Sequence, residues 1–464
     1  MQSKDRDVSY RWALSGLSLT MVLSSLGTSV ANVALPNLAA AFAAPFQAVQ
    51  WVVIAYVLAV TCSIVAIGWL GDAIGRRRLL IGGLILFLAA SALCGMAPSL
   101  ETLIAGRALQ GLGGATLLAL SMAFVGDIAP KERFGAAIGL LGTMSAVGTS
   151  IGPSLGGVLI DAFGWRSIFL INLPLGVVAL YLTITGLPAD KSRDGVERPA
   201  FDFVGIVVMA LALGAYALAM TLGRGEFGAA NIILLAAAAI GLFVFVRVET
   251  RAASPLISRD LFRDSILRAG FACSLLVSTV LFSTLIVGPF HLARVFALPP
   301  AAIGAIVAAG PIAAAFVGVP AGRLADRFGA GAVSLAGLIA IEIGCVLIVT
   351  IPATWGPFGF LFATIVLTIG YALFQNANNA HVMQGIDPRK RGIVAGLINL
   401  SRNLGQVTGA AAMGALFAYA SGPVDVLHAE PAAVDFGTRA TYAVATLLIG
   451  AAIVFAARKA ALKR

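Results

Sequence analysis

The chain has 464 residues, 59% hydrophobic and only 11% charged, with a mean hydropathy of +0.97. Soluble globular chains carry about a quarter charged residues, so most of this one has no solvated face to supply. The composition excludes a soluble domain and describes a polytopic membrane protein.

Runs of about 20 apolar residues cross a hydrocarbon core roughly 30 Å thick as helices, whereas barrel strands run to about 10 residues with strict alternation. An all-α chain is therefore expected. Fourteen such runs follow in order, at 11–35, 50–70, 79–97, 101–126, 134–160, 167–187, 203–223, 229–247, 266–290, 301–321, 331–351, 356–380, 393–420 and 437–457. The first is too long for a signal-peptide core and reads as a retained span.

Fourteen spans place both termini on one side, and alternate assignment of the loops puts 25 of the 31 Lys and Arg there. Only Arg166, Arg224, Arg294 and Arg439 fall opposite, with Arg107 and Arg402 inside spans. This is the positive-inside pattern, and it predicts cytoplasmic termini and an inner (plasma) membrane location. The net charge of +10 is then a basic cytoplasmic face against anionic lipid, and it calls for no nucleic-acid partner.

Cys62, Cys94, Cys273 and Cys345 sit within apolar runs and read as small hydrophobes. His291, His381 and His428 have no Cys, Asp or Glu set at metal-ligand spacing, and no G-x-x-x-x-G-K-[ST] loop occurs. The sequence thus predicts no metal, no cofactor, no enzyme chemistry and no ATP-driven transport by this chain alone.

Two polar cytoplasmic stretches, 188–202 and the one after the eighth run, bracket two helices. The expected organisation is a six-helix half at 1–187, linkers with a two-helix insert at 188–265, and a second six-helix half at 266–464. The halves repeat each other. GWLGDAIG at 68–75 recurs as GRLADRFG at 322–329, and Gly139, Gly148 and Gly152 recur in the same spacing as Gly396, Gly405 and Gly409. Two like-oriented halves related by an axis along the membrane normal are a transporter architecture.

Four stretches carry chemistry. GWLGDAIGRRRL at 68–79 holds Gly68, Asp72, Gly75 and Arg76 in register. LIAGRALQGLGGA at 103–115 puts Arg107 and Gln110 one turn apart on one face. An arginine in a span either faces a polar interior or snorkels to the interface; Gln110 favours a cavity-lining stripe. GLLGTMSAVGTSIGPSLGG at 139–157 strips one helix face of side chains, and Pro153 beside Gly152, Gly156 and Gly157 permits a bend. WRSIFLINLPLG at 165–176 reads as an interfacial anchor through Trp165 and Arg166.

Together these stretches resemble the major facilitator superfamily, and within it the fourteen-helix drug:proton antiporter family. The third matches that family's exporter motif, G(x8)G(x3)GP(x2)GG, at each defined position. The resemblance implies a secondary active exporter of small amphipathic molecules, of the drug efflux type, working by rocker-switch alternating access. It also implies a latch between halves in which Asp72 meets the thirteenth span, Arg76 pairs with Asp127, and Asp326 and Arg327 serve the other half. The partners implied are an amphipathic substrate, protons and membrane lipids; the sequence does not fix the oligomeric state, a monomer being the favoured form. A facilitator without proton coupling, or a lipid or metabolite carrier of the same fold, is the second reading.

The first span departs from the family. LGTSVANVALP at 26–36 carries Gly27 where an aspartate is usual. That leaves Glu342, the one acid near mid-membrane, as the candidate proton carrier together with Arg107. Glu342 has a structural reading too, bonded to a neighbouring helix at the periphery. Asn32, Gln110, Phe282, Gln375, Asn376, Asn379 and Arg402 are the candidate cavity residues. With Arg107 and Arg402 present and the first acid gone, the expected substrate is neutral, zwitterionic or anionic.

Overall fold

The structure, a computed structural model, describes residues 2–128, 134–190, 203–222, 228–249, 264–384, 386, 391–422 and 424–462, and the regular elements among them are helical. The first seven helices are α1 (Gln2–Ala41), α2 (Phe46–Ile74), α3 (Arg76–Gly95), α4 (Leu100–Ile128), α5 (Phe134–Phe163), α6 (Ser167–Leu170) and α7 (Asn172–Gly186). Next come α8 (Phe203–Thr221) and α9 (Ala229–Glu249). The remainder are α10 (Ser265–Val295), α11 (Pro300–Phe328), α12 (Ala330–Thr350), α13 (Gly356–Met383), α14 (Arg391–Thr408), α15 (Gly414–Ala420) and α16 (Pro431–Leu462).

Among the described residues, twelve segments are long and apolar enough to cross a membrane, with α6 and α7 forming one of them. Two of the fourteen expected runs fall outside that set. The run at 203–223 forms a shorter apolar helix, Gly205–Thr221. The run at 393–420 is divided into α14, a π-helical turn at Gly409–Met413, and α15. Asn399, Arg402, Asn403 and Gln406 also make α14 too polar for that measure.

In the first group α1 packs on α5, α7 and α4, while α2 and α3 both pack on α4. In the second, α10 packs on α14 and α16, and α13 packs on α11 and α12. The groups meet chiefly along α5 and α11, with lesser contacts of α1 with α10 and of α2 with α14. Helices α8 and α9 pair with each other, and α8 also lies against α2, where Trp51 Nε1 donates to Thr221 Oγ1 at 3.0 Å.

The repeated sequence stretches take repeated shapes. Gly75 joins α2 directly to α3 with φ +103°, and Gly329 joins α11 directly to α12 with φ +87°. Both lie in the left-handed region, which a Cβ disfavours, so one glycine both ends a helix and starts the next.

The glycine seams repeat as well. A Cβ on Gly148 would lie 2.7 Å from the Val22 carbonyl of α1, and one on Gly152 would collide with Ser29 Oγ. In α14, a Cβ on Gly405 would collide with the Leu275 carbonyl of α10, and one on Gly409 (in the π turn) with the Thr279 carbonyl. The first glycine of each series, Gly139 and Gly396, has nothing within 4 Å. The expectation that the whole exporter series forms a packing face therefore holds from Gly148 onward; Gly139 stands clear of any neighbour.

That contrast reflects the shape of the bundle. At the end where α5 finishes and α11 begins, the groups touch backbone to backbone. A Cβ on Gly157 would strike the Pro300 carbonyl, and one on Gly304 the Pro153 carbonyl. Asp161 Oδ2 accepts from the Ala301 amide at 3.0 Å, Asp425 Oδ2 from the Phe46 amide at 3.1 Å, and the Ala410 carbonyl from Gln50 Nε2 at 3.2 Å. Phe46 stands edge-on to both Phe290 and Phe417. At the opposite end Gly126, Gly139, Gly142, Gly322 and Gly396 meet nothing within 4 Å. The bundle is shut at the end where α5 meets α11.

Candidate functional site

Arg107 is fully buried among α1, α2 and α4. Its Nε donates to the Val52 carbonyl at 2.8 Å, and its Nη1 to the Gly27 carbonyl at 2.9 Å and to Gln110 Oε1 at 2.5 Å. The guanidinium lies 4.2 Å from the Tyr56 ring centroid, a cation–π contact. Gln110 is buried too, and its Nε2 donates to Ser91 Oγ at 2.7 Å. No carboxylate pairs with Arg107 among the described residues. The expected polar stripe exists, but it is sealed inside the first helix group and lines no open cavity.

Glu342 is half-buried on α12. Its Oε2 has no partner among the described residues, and its Oε1 lies 3.9 Å from where a Cβ on Gly450 would sit. It thus faces α16, at the outside of the second group. Arg107 and Glu342, the proposed coupling pair, are not brought together. The side chain that does meet Arg107 at the position of the missing acid is none at all: the Gly27 backbone supplies the acceptor.

The other cavity candidates divide in the same way. Asn32 is buried with Nδ2 at 3.5 Å from the Thr28 carbonyl, and Phe282 is buried beside Gly409. Asn376 is exposed and donates across to the Gly318 carbonyl of α11 at 3.3 Å. Gln375 Nε2 reaches Asn379 Oδ1 at 3.4 Å within α13. Their neighbour Asn378 is glue, donating to Ser274 Oγ at 3.0 Å and to the Gly270 carbonyl at 3.3 Å. Arg402 is half-buried, and its Nη2 donates to Asn399 Oδ1 at 2.6 Å.

Of the latch residues, Gly68 and Asp72 lie in α2 and Asp127 in α4, and their side chains fall outside the described residues. Asp326 and Arg327 are exposed, the latter over the Phe328 ring, and Asp326 borders a cleft of about 680 Å³ with His381 and Gln384. Arg166 stacks on Trp165 and donates to the Ala97 carbonyl at 3.3 Å, as an anchor would.

Sequence reasoning missed Asp190. Its carboxylate accepts from the Arg77 amide at 2.8 Å and the Arg78 amide at 3.1 Å, capping α3 from beyond α7. A Cβ on Gly75 would collide with it, which is a second reason for glycine there. No local signal marks Asp190, because its partners lie more than a hundred residues away. Gln50 was also missed, although a polar residue opening an apolar run was a visible cue. Among the described residues no group of three or more His, Cys, Asp or Glu could hold a metal. The four cysteines are buried.

The major facilitator superfamily model matches residues 17–410 and, in a second match, 270–460. The chain belongs to the major facilitator superfamily. It is 31% identical over 405 residues to the uncharacterized transporter YebQ of Escherichia coli K12, covering 85% of this chain and 87% of that one. It is 32% identical over 422 residues to the drug efflux pump JefA of Mycobacterium tuberculosis, covering 87% of this chain and 79% of that one. In fold it is similar to a bacterial homolog of the human lysosomal transporter Spinster in an inward-facing, unoccupied conformation. That likeness has a TM-score of 0.70 at 16% identity, over 97% of this chain and 96% of the other. This superfamily member is a multi-pass membrane transporter, not an enzyme.

Proposed function

We propose that this protein is a secondary active exporter of small amphipathic molecules, of the drug efflux type, driven by the proton gradient. The observation that carries this reading is the backbone-to-backbone seam at one end of the bundle, where Gly157 of α5 meets Pro300 and Gly304 of α11 meets Pro153. Alternating access needs such a seam, one that can close by backbone contact and reopen without tearing side chains apart. Similarity to proteins named drug efflux pumps supports the direction and the substrate type.

In this reading two six-helix halves rock about the α5–α11 seam, and α8 with α9 forms the insert of a fourteen-span chain. Both termini are cytoplasmic in an inner membrane, so the shut end faces outwards and substrate is collected from the opposite, cytoplasmic end. Asp72, Arg76 and Asp127 re-form the latch on the cytoplasmic side when the outer end opens.

Everted vesicles under an imposed pH gradient, offered a mixed panel of amphiphiles, test the proposal. Gradient-dependent accumulation is expected. Accumulation that ignores the gradient would instead favour a facilitator or a lipid or metabolite carrier, and no accumulation of any amphiphile would sink both.

A further inference from the structure

The two arginines inside spans have opposite surroundings. Arg107 is enclosed and spends its donors on backbone carbonyls and Gln110. Arg402 is half-exposed, and Asn399 is its one hydrogen-bonding partner among the described residues. A guanidinium has five N–H donors, so most of this fork is uncommitted.

Its position is the second observation. Arg402 lies eleven residues into α14, or about 16 Å at 1.5 Å per residue, near the middle of a hydrocarbon core. Asn399, Arg402 and Gln406 fall on one face of α14, at helical spacing of three and four. The adjacent face carries Gly405 against α10, and Leu400 on the far side joins the apolar cluster of Cys62, Met209 and Phe245. Gly396, on the polar side, looks into open space. The polar face is therefore the partly exposed one, turned away from α10 and from the Leu400 cluster.

Among the described residues no carboxylate pairs with it. The described carboxylates lie near the ends of helices, except Glu342, which faces α16. A cation at mid-membrane depth without a partner is expensive unless water or a ligand supplies the charge. Asn399, one turn back, holds the fork by one nitrogen and leaves its other donors free.

We infer that Arg402, oriented by Asn399, is the subsite that binds an anionic group, a carboxylate or phosphate, of the transported amphiphile. Arginine suits this role because its planar fork takes two oxygens at once. The inference rests on the transport reading above and narrows its substrate class to amphipathic anions.

Binding to the purified full-length protein tests it without requiring transport. The probes are dansylaminoundecanoic acid and its uncharged primary amide, titrated by dansyl fluorescence. The wild type is expected to bind the acid about tenfold more tightly than the amide, the value of one good charge-assisted contact. Arg402→Gln should weaken the acid far more than the amide and so remove that preference, and Arg402→Lys should keep part of it. Repeating the titration in phosphatidylcholine and in phosphatidylglycerol nanodiscs identifies the source of the anion. Competition by the anionic lipid assigns the site to a headgroup phosphate; its absence assigns the site to the soluble carboxylate. A wild type that binds both probes alike, or neither, overturns the inference. So does an Arg402→Gln protein that loses both equally. If that variant does not fold, the acid-to-amide ratio of Arg402→Lys decides, and a ratio equal to wild type overturns the two-oxygen contact. Binding that discriminates without any export would leave the subsite standing and remove the exporter reading.

Discussion

Arg107 Nη1 donates to the backbone carbonyl of Gly27 at 2.9 Å, at the position where the resemblance leads one to expect an aspartate. A carbonyl dipole is thus a partner of a buried guanidinium. A Cβ on Gly27 would lie 3.1 Å from the Phe87 ring and 3.3 Å from the Tyr56 hydroxyl, so Phe87 and Tyr56 occupy the space an acid would need.

The arrangement makes an ordering testable. Arg107→Met removes three hydrogen bonds but also the buried charge, whereas Arg107→Lys keeps the charge and cannot span Val52, Gly27 and Gln110 with one ammonium. Leaving a buried charge uncompensated costs about 3–5 kcal/mol. Arg107→Lys should therefore melt below Arg107→Met in detergent, and both below wild type. A lysine variant as stable as wild type would refute the account.

The glycine seams predict a position-specific tolerance. Gly148→Ala would press a methyl against the Val22 carbonyl of a helix that cannot turn aside, and overpacking of this kind costs about 1–3 kcal/mol. Gly139→Ala meets open space and should be neutral or slightly stabilising in this conformation. Thermal unfolding of the two variants side by side checks the difference; equal effects would mean the seam is not close-packed.

One charge at a helix start adds to the closure of the shut end. Asp161 accepts from the Ala301 amide in the first turn of α11, a contact worth about 0.3–1 kcal/mol. Asp161→Asn should shift the population towards the state open at that end by about two- to fivefold. Distance distributions between labels on the adjoining ends of α5 and α11 would show a larger long-distance fraction. An unchanged distribution means Asp161 is incidental to closure.

Glu342 faces α16, and no described polar group connects it to the space between the helix groups. Glu342→Gln is accordingly expected to leave gradient-driven export unaltered. Loss of the gradient response in a folded Glu342→Gln protein would make this acid essential to coupling despite its peripheral place.

Asp190 provides a purely structural prediction. Removing the carboxylate by Asp190→Ala strips the cap from the Arg77 and Arg78 amides, at a cost of about 0.5–2 kcal/mol. Faster proteolysis at the α2–α3 turn would report it; wild-type resistance would show that the cap is dispensable.

Much of this protein is determined one residue at a time, and that part is legible in the sequence. Hydrocarbon cannot satisfy backbone polar groups, so each long apolar run must be a helix whatever surrounds it. The turns at Gly75 and Gly329 follow from local spacing, because a residue that both ends and begins a helix needs a backbone only glycine adopts readily. The tertiary structure alone decided where the polar side chains point. Arg107 and Arg402 are alike in sequence, each an arginine within a span beside an amide side chain. One is enclosed by Gly27, Val52 and Tyr56, and the other is only partly covered. Glu342 turned towards α16, and Asp190 found α3, for the same reason. A side chain's partner in a helical bundle is set by the rotation and separation of helices distant in the chain, which no local window of sequence records.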